Sequence, residues 1–77
     1  MTIAQQVVAL ITDELRLQEG VVQLTMNLKE DLDVQSLDAV EMLMALEDKF
    51  KIEFGEKDHE HVVTVQDVVD LVNKLVK

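Results

Sequence analysis

The sequence predicts an all-α fold: a small four-helix bundle, with three longer helices, one short one and a long first loop. Three observations predict it. Apolar residues recur at helical spacing through most of the chain. Two of the apolar runs are preceded by Thr with Gln or Asp three positions on, the pattern of a capping box. No Pro interrupts any run, and Gly occurs only twice. At 77 residues the chain has room for one domain, taken as residues 1–77.

The first helix is expected from about Ile3 to Leu17. Its apolar stripe is Ile3, Val7, Leu10, Ile11 and Leu15, its capping pair Thr2 and Gln5, and Gly20 follows as a helix-end signal. Residues 18–35 lack a helical period. Val21, Val22, Leu24, Met26, Leu28 and Leu32 are spaced by about two, but nothing elsewhere reads as a partner strand. The segment is therefore expected to be an extended loop pinned by apolar anchors, and loops this long in so small a domain commonly carry function. A second helix should run from about Leu37 to Phe50 or Lys51. Glu56 to His61 should form at most a turn or two, the short helix. The last helix should start at Thr64, with Asp67 as capping partner and Val65, Val68, Val69, Val72, Leu75 and Val76 facing inward.

Composition removes several functions. Without Cys there is no disulfide framework and no thiolate metal site. No apolar run is long enough to span a membrane. The N-terminus lacks the basic start and apolar run of a secretory signal, so a cytoplasmic location is expected. The net charge of −9 repels phosphate backbones and argues against nucleic acid as a partner. At this size a core leaves only about 3–5 kcal/mol of net stability, too little for a large catalytic cleft. A small acidic binding or carrier module is the expectation.

The charge is concentrated. Residues 30–61 hold eleven acids against three lysines, so eight of the nine net charges lie there. Such crowding costs stability through self-repulsion. It reads as a solvated face, a docking surface for basic partners or a weak cation site.

The second helix carries two apolar stripes. Ala39, Met42, Leu43, Leu46 and Phe50 fall on one side and form the core face. Leu37, Val40 and Met44 fall well over a quarter-turn away, flanked by Glu41, Glu47 and Asp48. Either the long loop covers this second stripe, or it faces solvent, as scattered surface residues or as a partner site. Met suits the partner reading because its side chain adapts to different surfaces.

Other chemistries fail on spacing. Asp31-Leu-Asp33-Val-Gln35-Ser36 begins like a calcium-binding EF-hand loop. The required Gly and final Glu positions are Ser36 and Met42, so no metal site is assigned. Loose cation contacts remain open for Glu30, Asp31 and Asp38, or for Glu47, Glu53 and Glu56. His59 and His61 are two apart, which does not bring two rings to one helix face. No Gly-x-Ser-x-Gly elbow and no Gly-rich phosphate loop occurs, so no catalytic residues are assigned. Ser36 has an ordinary explanation as an N-cap. It also stands at a helix N-terminus beside an apolar stripe, where backbone N–H groups favour an anionic group on its oxygen. Asp33 and Asp38 oppose that locally.

The stretch from Asp31 to Phe50, with Ser36-Leu37-Asp38 and Val40-Glu41 followed by Ala45-Leu46-Glu47, resembles the attachment site and second helix of the acyl carrier proteins. Thr64 to Val72 is similar to the family's fourth helix, and the likeness covers nearly the whole chain. The resemblance implies that a phosphopantetheinyl transferase attaches 4′-phosphopantetheine from coenzyme A to Ser36. The arm's thiol would hold acyl groups as thioesters. The protein would then be a carrier and not an enzyme, presenting growing chains to fatty-acid synthesis enzymes. Leu37, Asp38, Val40, Glu41, Met44, Glu47 and Asp48 would meet basic docking patches on those partners. Leu46, Phe54, Val62, Val68 and Leu71 would shelter the acyl chain, in a monomeric protein. Two departures stand out. Members usually have Gly-x-Asp before Ser-Leu, where this chain has Asp33-Val34-Gln35, and Gly55 stands where many have Pro. An unmodified acidic interaction module, or a carrier for polyketide, peptide or other specialised acyl chemistry, are the competing readings.

Overall fold

A computed structural model describes residues 2–55, 58 and 61–76. Among them are three helices: α1 (Ile3–Glu14), α2 (Ser36–Phe50) and α3 (Val65–Leu75). The fold class is all-α, as the periodicity predicts. The expected short helix at Glu56–His61 lies mostly outside the described residues, where only Asp58 and His61 are seen, each in a turn.

Two helices start as the capping pattern requires. The Thr2 hydroxyl accepts the Gln5 N–H at 3.1 Å, and the Gln5 side chain accepts the Thr2 N–H at 2.9 Å. The Thr64 hydroxyl accepts the Asp67 N–H at 3.2 Å, and Asp67 Oδ2 accepts the N–H groups of both Thr64 and Val63 at 2.9 Å. Each box satisfies donors that the first turn of a helix leaves without intrahelical partners.

The first helix is shorter than its apolar stripe predicts, ending at Glu14 and not at Leu17. Arg16 adopts a left-handed conformation (φ 56°). The N–H groups of Leu17 and Arg16 then turn back to the carbonyls of Thr12 and Asp13 at 2.9 and 3.2 Å. This is a Schellman ending built on Arg, where Gly is usual. Gly20 (φ 90°) serves a later turn. The second helix ends in a related way on Lys51 (φ 57°), with the Ile52 N–H bonded to the Glu47 carbonyl at 3.1 Å.

Val7 and Ile11 of α1, Met42 and Leu46 of α2 and Val65, Val68, Val69 and Val72 of α3 form the buried core. The long loop adds Val22, Leu28 and Val34, so the expected apolar anchoring holds. The loop also finds a pairing partner that the sequence reading did not. The Leu28 N–H donates to the Val63 carbonyl at 2.9 Å. The N–H groups of Val65 and Gln66 donate to the carbonyls of Met26 and Leu24 at 3.0 and 2.9 Å. Asn27 and Thr64 thereby form a single antiparallel bridge. α1 packs against both α2 and α3, whereas α2 and α3 touch each other only sparingly. That asymmetry leaves a crease between α2 and the approach to α3.

Candidate functional site

The start of α2 is built differently from the other two. Gln35 is its N-cap and Ser36 its first helical residue, which corrects the reading of Ser36 as the cap. The Gln35 N–H donates to Asp38 Oδ2 at 3.2 Å. The Gln35 side chain turns backward, its Nε2 donating to Asp33 Oδ1 at 2.9 Å and to the Asp33 carbonyl at 3.3 Å. Asp33 is itself left-handed (φ 53°). Asp tolerates that conformation better than most residues, although Gly does so at less cost. Ser36 is exposed, and among the described residues its hydroxyl makes no hydrogen bond. Its backbone N–H and that of Leu37 have no intrahelical acceptor, so the partial positive end of the helix is open beside that oxygen.

The loop reaches this point along a fixed path. Asn27 Oδ1 accepts the N–H groups of Lys29 and Glu30 at 2.9 and 2.8 Å, and Asp31 Oδ2 accepts the Asn27 N–H at 2.7 Å. The Val34 N–H then bonds to the Leu28 carbonyl at 2.9 Å, and the buried Val34 side chain anchors the entry to Ser36.

Two grooves meet at Ser36. The first, about 530 Å³, lies in the crease between α2 and the α3 approach. It is lined by Leu28, Val34, Ala39, Met42, Leu43, Val62, Val63 and Val68, with Asn27, Lys29, Glu30 and Gln35 at its polar edge. The second, about 440 Å³, is lined by Ser36, Ala39, Val40, Leu43, Met44, Glu47 and Phe54. The Glu47 carboxylate shapes it by accepting the Phe54 N–H at 2.8 Å, which ties the segment after α2 back onto the helix.

The sequence-predicted acyl-shelter residues are distributed unevenly. Val62 and Val68 line the first groove and Phe54 the second. Leu71 lines, with Val62, a smaller cavity of about 280 Å³ that Ser36 does not reach. Leu46 is fully buried in the core and lines none of these grooves. The loop side of the first groove was missed. The sequence marks Leu28 only as an anchor, and its place in the groove depends on the non-local pairing with Val63.

The second stripe of α2 faces solvent: Leu37 is 68%, Val40 52% and Met44 62% exposed. Glu41 is exposed beside it, and Asp38 half-buried. Asp48 is exposed and pairs with Lys51 at 3.9 Å, a contact of little energetic consequence at the surface. Glu47 is half-buried and engaged with Phe54, so it is less free than its sequence position implies. His61 is exposed, and His59 lies outside the described residues. Among the described residues, no three His, Asp or Glu side chains gather as a metal site. No helix among them is long and apolar enough to cross a membrane.

A hydroxyl that is exposed and unbonded among the described residues, at an open helix N-terminus above apolar grooves, suits the covalent attachment of an anionic group with a flexible tail. Residues 5–72 match the family model described as the phosphopantetheine attachment site, so the chain is of the class that bears 4′-phosphopantetheine. It is similar over its full length to the acyl carrier protein of Campylobacter lari (39% identical over 77 residues, 100% of both chains). It is also similar to that of Campylobacter concisus, 38% identical over 77 residues and again 100% of both chains. With the acyl carrier protein of Thermosynechococcus vestitus it is 39% identical over 74 residues, 96% of this chain and 91% of the relative. The chain belongs to the acyl carrier proteins. It is a carrier and not an enzyme.

Proposed function

We propose that Ser36 is the attachment residue and that the protein carries growing acyl chains for fatty-acid synthesis in the cytoplasm, as a single monomeric domain. The observation that carries the reading is the Ser36 hydroxyl, exposed and without a hydrogen-bond partner among the described residues, where α2 begins between two apolar grooves. In the loading step a phosphopantetheinyl transferase joins Ser36 Oγ to the β-phosphorus of coenzyme A. The pyrophosphate bond breaks, 3′,5′-ADP leaves, and the hydroxyl proton passes to a base of the transferase. When bound, the group supplies a terminal thiol that holds acyl chains as thioesters.

The chain's own residues do the rest. The open N–H groups at Ser36 and Leu37 favour the phosphodiester's negative charge. Val62, Val68, Met42 and Leu43 offer apolar cover on one side of Ser36, and Phe54, Val40 and Met44 on the other. Burying each methylene of a cargo there is worth about 0.8 kcal/mol. Leu37, Val40, Met44, Glu41 and Asp48 form an exposed apolar strip with an acidic rim, suited to a basic patch on a partner enzyme.

Intact-mass measurement after incubation with coenzyme A and a transferase tests the assignment. One phosphopantetheine should be gained by the wild type and none by Ser36→Ala. An adduct on another residue, or a wild type that several transferases leave unmodified, overturns it and favours an unmodified interaction module. The cargo on protein purified from its native host distinguishes fatty-acid synthesis from polyketide, peptide or other specialised chemistry.

A further inference from the structure

We infer that Asp33, held by the Gln35 side chain, supplies the carboxylate that a basic modifying enzyme reads beside Ser36. The inference rests on the assignment of Ser36 as the attachment residue. An acid, Asp33, and an amide, Gln35, stand three and one residues before Ser36. The structure joins them. Gln35 Nε2 donates to Asp33 Oδ1 at 2.9 Å and to the Asp33 carbonyl at 3.3 Å, so the amide grips both the carboxylate and the backbone of Asp33.

The backbone points the same way. Asp33 sits at φ 53°, a conformation Gly would adopt with less strain, so the acid is kept there at a cost. The neighbouring aspartates each use one oxygen on a backbone N–H, whereas Asp33 is held by a side chain. Asp31 accepts the Asn27 N–H at 2.7 Å, and Asp38 accepts the Gln35 N–H at 3.2 Å. Asp33 is exposed, and its only hydrogen-bond partner among the described residues is Gln35, which leaves its second oxygen open to a Lys or Arg of the partner. Gln35 is thus a positioning residue: it limits where the carboxylate can swing and carries no charge of its own.

The test is the kinetics of loading apo-protein from coenzyme A by a purified phosphopantetheinyl transferase that modifies the wild-type chain at Ser36. Asp33→Asn keeps an acceptor for Gln35 and removes only the charge. It should raise KM for the apo-protein roughly fivefold at low salt with kcat unchanged, and raised salt should shrink the difference. Gln35→Met keeps the length and removes the grip, and should raise KM by a smaller factor, about twofold. Asp33→Gly should raise KM as Asp33→Asn does, and the double variant Asp33→Gly with Gln35→Asp should bring it back toward wild type. A merely structural role would leave KM alone and move the thermal midpoint. Wild-type KM in Asp33→Asn or in Gln35→Met overturns the inference, as does a double variant no better than Asp33→Gly. A wild-type chain that no transferase loads at Ser36 instead sinks the assignment on which it rests.

Discussion

The starts of α2 and α3 solve one problem in opposite ways. At α3 the box is reciprocal: the Thr64 hydroxyl caps the Asp67 N–H, and the Asp67 carboxylate collects the N–H groups of Thr64 and Val63. At α2 the Gln35 side chain turns away to Asp33, and Asp38 returns one bond to the Gln35 N–H. The Ser36 hydroxyl is left unbonded among the described residues. α2 can afford a thin entry because Met42 and Leu46, further along, are almost wholly buried. α3 cannot, because its entry also anchors the loop. Val63, whose N–H is held by Asp67, accepts the Leu28 N–H through its carbonyl. Side-chain capping is thus strong where it fixes the groove and sparse where the Ser36 hydroxyl stands exposed.

The strongest way to break the contrast is Asp67→Ala. It removes one carboxylate that accepts two backbone N–H groups, and should cost about 2 kcal/mol. In a domain of this size that lowers the thermal midpoint by roughly 10 °C. Amide exchange at Leu28 should accelerate with it, because the Val63 carbonyl loses its fixed position. An unchanged midpoint would show that the α3 entry is held by packing alone. The same carboxylate gives an acid dependence. Its pKa lies below the ordinary value because the Thr64 N–H, then the Val63 N–H, stabilise the charged form. Its contribution is therefore complete above the unfolded value near 3.8 and is lost as pH falls through the lower folded value. Denaturant midpoints measured from pH 6 downward should fall less steeply for Asp67→Asn than for the wild type.

The contrast was only half legible in the sequence. The capping boxes at Thr2 and Thr64 are local patterns of three-residue span, and both stand as read. The entry to α2 was misjudged by one residue because Ser is the better cap by type. The structure uses Gln35 instead, since Asp38 lies three positions after it. The apolar spacing and Gly20 place the end of α1 near Leu17, whereas Arg16 takes the left-handed position and ends it at Glu14. The exposed stripe Leu37, Val40 and Met44 was legible because helical angles alone separate it from Met42 and Leu46. The grooves were not. They depend on the loop pairing at Asn27 and Thr64 and on the loose approach of α2 to α3, contacts between residues far apart in the chain.

Smaller changes sharpen the comparison. Thr64→Ala keeps the Asp67 carboxylate but removes the hydroxyl that caps its N–H, and should cost about 1 kcal/mol by thermal or denaturant unfolding. Gln35→Ser does the reverse at the other helix. It adds a good cap to α2 and should gain about 0.5 kcal/mol. If Gln35→Ser destabilised the protein by as much as Thr64→Ala, the grip on Asp33 would be a structural necessity, and α2 would not be under-capped at all.

The smallest expected effect is the most telling. Ser36→Ala should leave the unfolding midpoint of the unmodified protein within about 0.5 kcal/mol of wild type, as surface substitutions without partners do. Ala is a good helix former at a first-turn position, and the hydroxyl it replaces has no hydrogen bond to lose among the described residues. The same Ser-or-Thr-to-Ala chemistry would thus cost about 1 kcal/mol at Thr64 and next to nothing at Ser36. A loss at Ser36 as large as that at Thr64 would mean the hydroxyl is held in the folded chain. It would then have to be released before any transferase could reach it, and the open entry to α2 would no longer support Ser36 as the proposed attachment residue.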